Sequence, residues 1–77
     1  MTLQVDRWVK LYREGYILRR DYLDGLVSGF ATGDLDAILA ALTEDHLTRE
    51  FLQLVKVARD RGTLNPEQAR LAEGMDL

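Results

Sequence analysis

Cysteine is absent from this 77-residue chain, while histidine, proline and serine occur once each. Without cysteine there is no disulfide, no thiolate metal site and no cysteine nucleophile. Such usage agrees with a reducing cytoplasm. The lone Ser28 lacks the glycine-flanked elbow of a serine nucleophile, and nothing in the spacing of Ser28, His46 and Asp24 specifies a triad. A single histidine without cysteine falls short of the common zinc site. Gly29 and Gly33 imitate a fragment of a phosphate loop but lack its lysine and its preceding strand. Neither an enzyme nor a cofactor is therefore expected. No apolar run approaches the roughly 18–20 residues that cross a bilayer, and the opening MTLQVDRWVK has neither the basic start nor the apolar stretch of a secretory signal. The expectation is a soluble cytoplasmic protein with no membrane partner.

What the chain does contain is a globular composition. Apolar residues make up 47% of it, too many for a disordered linker. The length suits one domain over residues 1–77, with a thin core that buries only about 60% of the surface exposed by the unfolded chain. The formal charge of −3 is unevenly spread. Residues 1–20 carry Arg7, Lys10, Arg13, Arg19 and Arg20 against Asp6 and Glu14, whereas residues 21–50 set Arg49 against seven carboxylates. The middle of the chain repels nucleic acid, and its beginning suits an anionic partner.

Periodicity predicts an all-α fold, a compact bundle of four or five short helices. Val5, Trp8, Leu11 and Tyr12 form one apolar stripe on a first helix from about residue 4 to Glu14, stopped by Gly15. Leu23, Leu26, Val27 and Phe30 do the same for a second helix over roughly 19–30. There Gly25 and Gly29 share a face on which a neighbouring helix can approach closely. Arg19 and Arg20 oppose the helix dipole at its start. Asp34 is expected to cap a short helix carrying Leu35, Ile38, Leu39 and Leu42. Thr43 is expected to cap a fourth, with Glu44, Asp45 and His46 in its first turn and Leu47, Phe51, Leu54, Val55 and Ala58 inward as far as Arg61. A fifth begins with Asn65 as cap, Pro66 at the first position and Gln68 three residues past the cap. The clustered carboxylates Asp34 with Asp36, and Glu44 with Asp45, read as helix-start residues and not as catalytic pairs. No strand alternation competes.

Gly15 followed by Ile17 is echoed by Gly62 followed by Leu64, each pair a glycine stop with an inward aliphatic two residues on. This spacing resembles the middle of a calcium-binding EF-hand loop, where a glycine at position 6 precedes an aliphatic at position 8. The ligand positions depart from that pattern: they hold Lys10, Tyr12, Glu14 and Asp21 in one case, and Val57, Arg59, Arg61 and Gln68 in the other. Neither set offers the convergent oxygens that calcium requires.

The candidate site is a surface for another protein. Tyrosine and arginine are enriched at protein interfaces, and Arg7, Lys10, Arg13, Tyr16, Arg19, Arg20 and Tyr22 fall together in the first third of the chain. They predict docking of an acidic protein partner, with the chain acting as regulator, adaptor or accessory subunit. Two alternatives stand beside this. One is a helix-turn-helix-like nucleic-acid binder with its second helix over residues 17–30, disfavoured by Asp21, Asp24 and Ser28 on the outward side. The other is a structural homo-oligomer, in its simplest form a homodimer, for which Val9 and Leu52 count as apolar residues left over from the core stripes.

Overall fold

A computed structural model describes residues 4–75. Among them run five helices, α1 (Val5–Arg13), α2 (Arg19–Gly29), α3 (Leu35–Glu44), α4 (Thr48–Arg61) and α5 (Pro66–Glu73), without a strand. No helix is long and apolar enough to cross a membrane. α2 packs against α1 and α4, α3 lies against both α1 and α4, and α5 closes on α4. The core is built from Tyr22, Leu26, Phe30, Ile38, Leu42, Phe51 and Val55, all fully buried. Phe30 meets Phe51 edge to face with ring centroids 6.0 Å apart, a favoured aromatic geometry.

Three of the helices end in the same way. Tyr16 N–H reaches back to the Leu11 carbonyl while Gly15 N–H reaches Tyr12; Leu47 and His46 bond to Leu42 and Thr43, and Thr63 and Gly62 to Ala58 and Arg59. This is the Schellman arrangement, which needs a left-handed residue just beyond the helix. Gly15 and Gly62 supply it with φ of 85° and 72°, and His46 supplies it with φ of 60°. The echo between the two glycine corners is therefore one of shared helix-stop geometry, and Ile17 and Leu64 both pack on the core as expected.

A β-carbon in this conformation crowds the following carbonyl oxygen, at about 1–2 kcal/mol. Glycine avoids that cost but loses more freedom on folding. His46→Gly is accordingly expected to raise stability by about 0.5–1 kcal/mol, read as a thermal midpoint a few degrees higher. An unchanged or lower midpoint would mean that the imidazole contributes a compensating contact.

His46 also marks where the helix frame differs from the expectation. Thr43 does not begin a fourth helix: its hydroxyl donates to the Leu39 carbonyl inside α3, which continues to Glu44. Glu44 and Asp45 therefore stand at the end of α3, where the dipole disfavours them, and His46 lies in the corner. The reason is burial. Continuing α3 places Leu42 in the core and lets the corner deliver Leu47, only 4% exposed, as the residue on which α4 starts. Asp34 does precede α3, but its carboxylate turns back to accept from Ala31 N–H and caps no amide of the helix. Val9, expected to be surplus to the core, is buried in it, and Leu52 packs against it.

Candidate protein-docking surface

Between α1 and α2 the chain makes a corner over residues 14–18. Gly15 turns it, Ile17 enters the core, and the residues on either side of Ile17 are left outside: Tyr16 is 74% exposed and Leu18 69%. These are the exposed large hydrophobic residues among those described. Leu18 is also the N-cap of α2, in extended conformation and with no side-chain bond to the first-turn amides. Serine, threonine, aspartate or asparagine at such a position would stabilise the helix by about 1 kcal/mol. The first two residues of α2 are Arg19 and Arg20, both exposed, whose charge opposes the positive end of the dipole. Neither forms an ion pair among the described residues.

α4 provides the control. It too begins on an uncapped leucine, but Leu47 is buried, so apolar burial replaces the missing hydrogen bond. At Leu18 nothing in the described chain replaces it. The corner thus combines two exposed apolar side chains, an uncapped helix start and two arginines of unfavourable sign. Departures from local folding rules are expected where a surface serves something other than the fold.

The predicted surface residues separate in the structure. Tyr16, Arg19 and Arg20 are exposed together on the corner, and Arg7 and Lys10 are exposed further back along α1. Arg13 is exposed but engaged. Its guanidinium lies 3.3 Å from Glu44 and 3.2 Å from Asp45, and the hydrogen bond to Asp45 is the main cause of its raised pKa. It joins the end of α1 to the end of α3 and gives those two misplaced carboxylates a cation.

Tyr22 is not on the surface. It is 0% exposed, its ring stacked flat on Tyr12 at 4.2 Å, and its carbonyl accepts from Trp8 Nε1 at 2.9 Å. Burial, with the nearby Asp45 charge adding to it, pushes the phenol up to about 12. Its inward direction had a signal in the sequence, because Tyr22 extends the Leu26 stripe by one turn. Leu18 had one as well, as an apolar residue standing where a polar cap belongs.

No family model matches the chain, and comparison with curated proteins and with solved structures found no match. The geometry alone therefore bears on function.

Proposed function

We propose that the protein is a cytoplasmic protein-binding module, a regulator, adaptor or accessory subunit without enzymatic activity, which docks its partner on the α1–α2 corner. The observation that carries this reading is the pair Tyr16 and Leu18, exposed on either side of the inward Ile17 and followed directly by two arginines free of ion pairs among the described residues. Aromatic and arginine side chains are the groups that most often dominate binding energy at protein interfaces. A partner covering the corner would remove both apolar side chains from water and meet the arginines with carboxylates. Asp21, Asp24 and Ser28, exposed along α2, fit a nucleic-acid backbone poorly.

The test compares the tagged wild-type chain with Tyr16→Ser/Leu18→Ser in capture from lysate of the source organism. Both positions are exposed, so the double variant is expected to keep its circular dichroism spectrum while losing at least about tenfold in affinity for a stoichiometric protein partner. Equal retention by the two forms removes the corner from the interface. Recovery of self-copies alone favours the homo-oligomer.

A further inference from the structure

Next to the corner, the first two turns of α2 and the first two turns of α4 enclose an open groove of ≈ 560 Å³. Its floor is apolar, made by Leu23, which is buried, and Leu54, which is half-buried. Three arginines line it, Arg19 and Arg20 from α2 and Arg49 from α4. None of them forms an ion pair among the described residues, although Asp24 and Glu50 line the same groove. Counting these side chains, three cations against two carboxylates leave +1. The groove is thus locally cationic on a chain whose formal charge is −3.

We propose that this groove receives an acidic peptide segment of the partner, a large apolar side chain resting on Leu23 and Leu54 and carboxylates on the three guanidiniums. The inference rests on the protein-binding reading above and supplies the chemistry of the partner. Charge complementarity selects the occupant: guanidiniums take carboxylates in bidentate geometry, and the volume accommodates a few side chains. A phosphate backbone has no apolar group to place on the floor, and Asp24 and Glu50 give positional selectivity by repelling carboxylates from part of the groove.

The experiment pans a displayed random-peptide library on the immobilised full chain and measures the recovered peptides by fluorescence anisotropy. Expected peptides carry Asp or Glu around a Leu, Phe or Trp. Their affinity falls at least about tenfold in Arg19→Glu/Arg20→Glu/Arg49→Glu, falls less in the corresponding triple glutamine variant, and weakens with added salt. No enrichment, recovered peptides without acidic bias, or affinity unmoved by the triple reversal would each overturn the proposal. Displacement of the peptides by duplex DNA, with DNA binding tighter, overturns it in favour of nucleic acid. Self-association in sedimentation that the triple reversal abolishes assigns the groove to a second copy and equally overturns it. The corner and the groove share Arg19 and Arg20, and Arg49→Glu, which touches the groove alone, separates them. If capture of the cellular partner is lost in Tyr16→Ser/Leu18→Ser but survives Arg49→Glu, the corner stands and the groove falls. If capture survives the double serine variant but is lost in Arg49→Glu, the groove stands and the corner falls.

Discussion

Replacing Gln68 with glutamate is expected to destabilise the protein by about 3 kcal/mol at neutral pH, a large share of the stability available to so small a domain. The side chain is only 4% exposed, and both ends of its amide are in use. Its Oε1 accepts from Asn65 N–H at 3.1 Å, while Asn65 Oδ1 accepts from Gln68 N–H at 2.8 Å, a reciprocal cap on α5. Its Nε2 donates to the carbonyls of Ser28 and Phe30, at 3.0 and 2.9 Å. These lie at the end of α2, where carbonyls have no partner within the helix.

A glutamate keeps the acceptor and loses the donor. Two carbonyls are then left facing an oxygen, each at about 1–3 kcal/mol, and a negative charge is set against the negative end of the α2 dipole. The pH dependence follows from the same geometry. Burial beside carbonyls raises the carboxyl pKa of the folded variant above its unfolded value of about 4.3. Part of the lost stability is therefore regained below that value, where the protonated acid can donate its one O–H to one of the two carbonyls, and that part is lost as pH rises through the folded value. Urea unfolding at pH 7 and at pH 4 checks both points. A deficit under about 1 kcal/mol at both pH values would mean that the α2 carbonyls do not depend on this amide.

Gly25→Val is expected to cost about 3 kcal/mol, and Gly25→Ala about 1–2 kcal/mol, although alanine is by about 1 kcal/mol the better helix former. A β-carbon at position 25 would lie 2.5 Å from Trp8 Cζ2, 2.7 Å from Cε2 and 2.9 Å from Nε1. These are atoms of a rigid bicyclic ring, which cannot bend away locally. The indole would have to swing out, giving up its hydrogen bond to the Tyr22 carbonyl and its packing against the core. Overpacking of this kind costs about 1–3 kcal/mol, and the β-branched side chain adds its own loss of helix propensity. Equilibrium denaturation with tryptophan fluorescence reports stability and indole environment together. An alanine variant more stable than wild type would show that α1 can shift outward at little cost.

These two positions also separate what was legible in the sequence from what was not. The Asn65, Pro66 and Gln68 pattern announced the start of α5 because capping is settled within three residues. Gln68's other two hydrogen bonds were invisible, since their acceptors lie 38 and 40 residues away. The spacing of Gly25 and Gly29 pointed to close approach of a neighbouring helix, and at Gly25 the structure identifies that neighbour as α1, through Trp8. Glu44 and Asp45 suited a helix start by local rules. They became a helix end because the core demanded Leu42 and Leu47, and Arg13, some thirty residues earlier, supplies their counter-charge.

The candidate surface divides in the same way. Tyr16 and Tyr22 look alike in sequence, each beside an aliphatic residue and close to arginines, yet one is exposed and the other is stacked in the core. By itself the sequence determined that the chain is helical and where most helices stop, because periodicity and turn chemistry act over a few residues. Only the tertiary structure decided that Leu18 stays outside while Leu47 goes in, that Arg13 is engaged while Arg19 and Arg20 are not, and that Arg49 joins them around one groove. The reason is physical: exposure and pairing depend on which groups stand opposite a side chain, and long-range contacts set that.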